Sequence, residues 1–259
     1  MSIEKIKKII KKKGKYPIVC LTSYSRFTAE IIDKYCDIIL VGDSLGMVLY
    51  GFKNTKEVKL QTMIQHAKTV KKFAKKSLVV FDMPYGTYSN KFIAFKNASR
   101  ALKTTKCDAV KLEGGKKIIN IISYLTKKGI PVMGHIGLLP QTSANFKIKG
   151  KKTNQREEIY NDAVALSKSG VFSIVIECVV ENLAKKITQD ISVPTIGIGA
   201  SRYCDGQILV TEDMLGLSDF SPKFVKQYSN LNKIIEKSVM SYAKDVKSRK
   251  FPFNKNVYK

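Results

Sequence analysis

Leu78-Val79-Val80-Phe81-Asp82 decides the reading of this chain: four apolar residues, too few for a helix, close on a carboxylate. The same construction recurs on both sides of it. Ile38-Ile39-Leu40-Val41 runs into Gly42 and Asp43, and Ala109-Val110-Lys111-Leu112 ends on Glu113. Pro131-Val132-Met133-Gly134 ends on His135, and Ser173-Ile174-Val175-Ile176 ends on Glu177. Runs this short and this apolar read as strands buried on both faces, the habit of parallel sheets covered by helices. Parallel strands present their C-terminal ends at one mouth. Several carboxylates, a lysine and an imidazole then meet there. Carboxylates crowded together repel, so such a mouth calls for a cation.

Strand-like and helix-like segments alternate along the rest of the chain. A strand over 18–22 precedes a helix over 27–35. Further helices are expected over 60–73, 92–104, 116–127, 157–169 and 180–188, with strands over 195–198 and 206–210. Two last helices are expected over roughly 223–231 and 232–246, followed by a loose basic tail after Lys247. Repeated βα units with seven clear strands and an eighth at Gly206–Val210 predict a (β/α)8 TIM barrel, an α/β fold, as a single domain over 1–259. The alternative is an open doubly wound sheet. Its nucleotide turn, G-x-G-x-x-G after the first strand, is missing: Thr22-Ser23-Tyr24-Ser25 stands there. An N-terminal helix with Ile3, Ile6, Ile9 and Ile10 on its apolar side is expected to cover the barrel floor.

Composition narrows the function classes. No stretch approaches the roughly 18 apolar residues of a membrane helix, and the N-terminus lacks the apolar run of a secretory signal. Five cysteines (Cys20, Cys36, Cys107, Cys178, Cys204) show no C-x-x-C spacing, which argues against a thiolate zinc site and for reduced thiols in the cytoplasm. The net charge of +25 invites nucleic-acid binding. Yet only five of the 46 basic residues are arginines, and the lysines are scattered from Lys5 to Lys259. Base readers and phosphate clamps favour the bidentate guanidinium. Small-molecule substrates are therefore expected, with no nucleic acid and no membrane partner.

Asp43 and Asp82, on neighbouring strands if the order is sequential, are the best metal candidates. Two carboxylates with room for water and substrate suit Mg²⁺. The plainer reading makes each a turn former, a common role for Asp. Lys111 and Glu113 are two apart on a strand and face the same side, as a salt-bridged pair or as ligand contacts. His135, between Gly134 and Gly137, suits metal ligation, proton transfer or a hydrogen bond to a carboxylate. His66 sits in a helical pattern and reads as structural. Glu177 ends the most apolar strand, where desolvation suits a general base, or else it caps the next helix. Gly197, Gly199 and Gly206 hint at a phosphate loop, but nothing else in the chain demands phosphate.

Taken together, these segments resemble the ketopantoate hydroxymethyltransferase family. The resemblance is carried by Val41-Gly42-Asp43-Ser44-Leu45-Gly46-Met47, Phe81-Asp82-Met83-Pro84-Tyr85-Gly86 and Val110-Lys111-Leu112-Glu113-Gly114-Gly115. Downstream come Pro131-Val132-Met133-Gly134-His135-Ile136-Gly137-Leu138-Leu139-Pro140-Gln141, Ile176-Glu177-Cys178-Val179 and Pro194-Thr195-Ile196-Gly197-Ile198-Gly199-Ala200. The order agrees, and the likeness runs from about Tyr16 to Leu217. It departs at Tyr24-Ser25, where the family has Tyr-Asp, at Ser201, where it has Gly, and in a shorter, lysine-rich loop after Gln141.

The resemblance implies a barrel of the phosphoenolpyruvate/pyruvate type. It implies hydroxymethyl transfer from 5,10-methylenetetrahydrofolate to 3-methyl-2-oxobutanoate, giving 2-dehydropantoate for pantothenate synthesis. One Mg²⁺ per subunit is implied, with Asp43 and Asp82 as ligands and Glu113 acting on the ion directly or through water. Asp43, Ser44, Asp82, Lys111 and His135 are implied as substrate contacts, Glu177 as the proton acceptor, and a homodecamer as the assembly. Two rivals stand beside it: a carbon–carbon lyase or mutase on the same barrel, and a non-catalytic barrel binding nucleic acid through its lysines.

Overall fold

Eight parallel strands close on themselves in sequence order in a computed structural model, in which the structure describes residues 2–143, 147–218 and 222–258. The strands are β1 Ile18–Thr22, β2 Ile38–Val41, β3 Leu78–Asp82, β4 Ala109–Glu113, β5 Val132–Gly137, β6 Ser173–Glu177, β7 Thr195–Ile198 and β8 Gly206–Leu209. Closure is made by β1 against β8, with Ile18 opposite Gly206 and Leu21 opposite Leu209. That pairing excludes the open doubly wound sheet. The helices are α1 Ser2–Lys11, α2 Arg26–Ile32, α3 Leu45–Val48, α4 Leu60–Phe73, α5 Lys91–Thr105, α6 Ile119–Lys127, α7 Thr153–Lys168, α8 Glu181–Asp190, α9 Thr211–Met214 and α10 Leu231–Lys247. Met1–Val210 and Thr211–Lys259 are two compact units. Among the described residues no helix is long and apolar enough to cross a membrane.

The strands alternate with period two, and both faces are apolar. Val79, Phe81, Val110, Leu112, Ile174 and Ile176 pack outward with the helices, among Ala67, Val70, Ala98, Ile122 and Leu166. Leu78, Val80, Ala109, Met133, Val175, Ile196 and Ile208 fill the barrel. Ile6 and Ile9 of α1 belong to that interior cluster, so the helix closes the floor as expected. Ile3 and Ile10 do not share in it and remain 68% and 40% exposed.

Aspartates tie the floor together. Asp37, Asp108 and Asp205 each stand one residue before a strand (β2, β4, β8) and accept a backbone N–H from the strand before it: Val19 at 3.0 Å, Val79 at 2.9 Å and Thr195 at 2.8 Å. Each also pairs with a lysine, respectively Lys12, Lys71 and Lys13, at 2.6, 2.5 and 2.8 Å. Lys12 and Lys13 follow α1 directly, so two of these pairs anchor its exit to the strand starts.

The second unit differs from expectation. Residues 222–230 form turns rather than a helix, and α10 starts at Leu231. Asn230 explains the start: its side chain accepts from Lys233 N at 3.1 Å, so the sequence carries a helix cap inside the span expected to be helical. Directly after α10 the chain folds back on the helix's own end, while residues 252–258 are exposed. Lys250 N donates to Asp245 O at 2.8 Å, and Phe251 packs edge-on against Tyr242 at 5.6 Å.

Candidate active site

The strand ends converge as the apolar runs predict. Asp43, Asp82, Lys111, Glu113 and His135 are all buried, none more than 5% exposed. Parallel pairing places them in sequence around the mouth: Asp82 lies opposite Lys111, and Glu113 opposite His135. The Lys111 ammonium donates to both oxygens of Asp82 at 2.9 Å and stands 3.8 Å from Glu113. Asp43 N donates to Asp82 Oδ2 at 3.3 Å, which brings the two metal candidates side by side.

His135 lies between two carboxylates, with Nδ1 3.4 Å from Glu113 and Nε2 3.1 Å from Glu177. Neither contact is aligned as a hydrogen bond, so the attraction is that of charges at short range. Burial and Lys111 push the imidazole down, but the two carboxylates outweigh them and raise it to about 9. The two carboxylates thus favour the charged form of the ring. Burial opposes ionisation of Glu113 too, yet His135 and Lys111 hold it below the usual carboxylate range. Asp43 is the reverse case. Burial drives its pKa well above that range, and Asp82 and Glu113 add to the effect. Burial also raises Asp82, against the pull of Lys111. Lys111 rises above its ordinary value because Asp82, Glu113 and Asp43 overcome its burial. The mouth is thus richer in buried acid than its two cations balance, a setting that favours a further cation.

Glu177 projects from β6 beside His135 rather than from a wholly apolar wall, and its side chain is 14% exposed. Its approach to β5 depends on Gly137, whose φ is +94° and where a Cβ would meet Glu177 O at 2.3 Å. After Lys111 and Glu113 the chain turns through Gly114 and Gly115; a Cβ at Gly115 would overlap the Asp162 carboxylate, which caps Lys116 N at 2.8 Å. Ser44 accepts or donates a bond at 2.7 Å with the Tyr24 hydroxyl. His66, on α4, is engaged at both ring nitrogens: Nδ1 donates to Tyr24 O at 2.8 Å, and Nε2 meets Tyr50 OH at 3.0 Å.

Sequence reasoning assigned no role to Gln141, Tyr88 or Tyr24. Gln141 is fully buried: Nε2 donates to Asp43 Oδ2 at 2.8 Å and to Met83 O at 3.0 Å, and its N–H donates to Glu113 Oε2 at 3.1 Å. Tyr88 OH donates to its Oε1. Uncharged side chains on loops carry no periodicity to betray them. The one available signal was a carboxamide directly after the apolar stretch Ile136–Pro140. Of the loop after Gln141, residues 144–146 lie outside the described residues.

Solved structures share this architecture. A 2,3-dimethylmalate lyase, described as a PEP mutase/isocitrate lyase superfamily member, matches with a TM-score of 0.64 at 12% identity, over 97% of this chain and 86% of that one. A phosphonopyruvate hydrolase determined with oxalate and Mg²⁺ matches with a TM-score of 0.62 at 9% identity, over 97% of this chain and 93% of that one. At such identities the likeness is one of fold alone: the molecule is a closed (β/α)8 barrel. Sequence is more specific. The profile of the ketopantoate hydroxymethyltransferase family matches residues 2–254. The 3-methyl-2-oxobutanoate hydroxymethyltransferase of Pelagibacter ubique (strain HTCC1062) is 54% identical over 255 residues, 98% of this chain and 99% of that protein. That of Rhizobium etli (strain ATCC 51251 / DSM 11541 / JCM 21823 / NBRC 15573 / CFN 42) is 51% identical over 252 residues, 95% of this chain and 92% of that protein. The chain belongs to the ketopantoate hydroxymethyltransferase family.

Proposed function

We propose that this enzyme transfers a hydroxymethyl group from 5,10-methylenetetrahydrofolate to 3-methyl-2-oxobutanoate, giving 2-dehydropantoate for pantothenate synthesis. Family membership supports the activity. The observation that carries the chemistry is the buried cluster of Asp43, Asp82 and Lys111 at the barrel mouth.

The donor set fits Mg²⁺. Asp43 and Asp82 would hold the ion through hard carboxylate oxygens. Among the described residues no three acidic, His or Cys side chains close around one point. The remaining positions would fall to substrate and water, as Mg²⁺ prefers. Glu113 is engaged by His135, Lys111 and Gln141 N, which favours its acting through water. The Mg²⁺ oxalate complex of the phosphonopyruvate hydrolase shows a related barrel holding this ion with a small dianion. When bound, the ion supplies Lewis-acid polarisation of the keto oxygen.

The side chains supply the rest. Lys111 adds positive charge beside the oxygen on which charge builds as C3 is deprotonated. Glu177 accepts the C3 proton, and His135 holds its carboxylate in place. Ser44, with its hydroxyl set by Tyr24, and Asp82 contact the oxo acid. The carbanionic C3 then forms its bond to the folate methylene carbon as that carbon's two bonds to folate nitrogen break. Water supplies the hydroxyl, and the nitrogens take up the C3 proton and one water proton, so alignment of the substrates supplies much of the rate. The family likeness also supports a homodecamer in the cytoplasm, with residues 1–259 working as one domain.

The test is hydrogen isotope exchange at C3 of 3-methyl-2-oxobutanoate with folate absent. Exchange that needs both Mg²⁺ and Glu177 is expected; exchange indifferent to both would reject the scheme. The lyase or mutase reading is weakened by the stretch 138–156 after β5, which has no cysteine to act as an acid. Assay of phosphonate and dicarboxylate substrates decides between the two.

A further inference from the structure

We propose that Gln141, oriented by Tyr88, is a positioning residue that sets the Asp43 carboxylate for metal binding; this rests on the metal reading above. Both N–H groups of the carboxamide and one lone pair of its oxygen are engaged. Its Nε2 donates to Asp43 Oδ2 and Met83 O, and its Oε1 accepts from Tyr88 OH. The amide has one sensible orientation. Turned over, its oxygen would face a carboxylate and a carbonyl, and its NH₂ would face the hydroxyl.

Tyr88 is what makes that orientation costly to leave. Its hydroxyl has a single proton, and Glu113 O, a second acceptor, lies farther off at 3.5 Å. The proton is therefore committed to Gln141. Met83 O anchors the same side chain from the loop after β3, and Gln141 N anchors Glu113 at the end of β4. One residue from the loop after β5 thus ties together the ends of β2, β3 and β4. Asp43 Oδ2 is taken by the amide on one side, which fixes the plane of the carboxylate and directs its remaining lone pairs.

Metal-binding carboxylates are oriented by such outer partners, and losing one weakens metal affinity about 10- to 100-fold. The test is direct Mn²⁺ binding, followed by the electron paramagnetic resonance signal of the free ion, on the full chain without substrate. Gln141→Met keeps the volume and removes the amide. It should bind Mn²⁺ about 10- to 100-fold more weakly than wild type. Tyr88→Phe should show a smaller loss. The double variant should be no worse than Gln141→Met alone, because Tyr88 acts through the amide. Wild-type affinity in folded Gln141→Met overturns the proposal, as does a double variant whose loss is the product of the singles. If Gln141→Met does not fold, Tyr88→Phe decides alone, and unchanged affinity there overturns it. Asp82→Ala separates the two levels. Lost binding in Asp82→Ala with none lost in Gln141→Met removes only the positioning role. Unchanged binding in Asp82→Ala removes the metal reading and this proposal with it.

Discussion

Lys111 and Asp82 face each other across neighbouring strands, with the ammonium 2.9 Å from both carboxylate oxygens and both side chains buried. Breaking a buried pair leaves its partner uncompensated and costs about 3–5 kcal/mol. Lys111→Met should lower stability by about that amount in urea denaturation. It should also lower kcat by about 10²–10³-fold, the scale of removing one group that stabilises a developing oxyanion. Loss of stability with unchanged kcat would leave Lys111 a structural residue.

Glu177→Gln keeps the shape beside His135 and removes the proton acceptor. C3 exchange should fall by about 10²–10⁴-fold, the range for general base catalysis, while the oxo acid still binds. Calorimetric titration and exchange on the same sample check both halves. Normal exchange would assign the base elsewhere.

Ser44 is fixed by Tyr24, whose carbonyl is in turn held by His66. Tyr24→Phe removes one hydrogen bond, worth about 1 kcal/mol net, so KM for the oxo acid should rise about fivefold with kcat little changed. Steady-state kinetics at saturating folate would show it. An unchanged KM would mean that Ser44 needs no help in finding its position.

Asp33 accepts the backbone N–H groups of Lys75, Lys76 and Ser77, at 2.8 to 3.0 Å. Burial works against its ionisation, but these donors outweigh it and hold the carboxyl below its usual range. A group depressed on folding stabilises the fold above its unfolded value, about 3.9, and that stability is lost as pH falls through the folded value. Asp33→Asn should cost about 1–3 kcal/mol at pH 7, and its difference from wild type should shrink in acid. Denaturation curves at pH 7 and pH 3 measure it. A difference independent of pH would rule out the charge.

The apolar runs ending in acid were enough to foresee the barrel and to place Asp43, Asp82, Lys111, Glu113, His135 and Glu177 at one mouth. Period two dictates which side chains of a strand share a face, and parallel order dictates which ends meet. The helix over 60–73 came out as α4 to the residue, with Met63, Ile64, Ala67 and Val70 as its buried face, because that spacing is a local feature. The span 223–231 misled, because a caplike Asn230 competes with helical continuation, and the sequence did not say which would win.

What the order of residues determined, then, was the strands, their direction and the chemical types gathered at their tips. Which of those groups pair was left to the tertiary structure: Lys111 with Asp82, His135 between Glu113 and Glu177, Gln141 on Asp43. These pairings join residues 22 to 98 positions apart, and each side chain turns to one partner among several. Strand stagger and loop closure decide them, and neither is encoded in any short stretch of the chain.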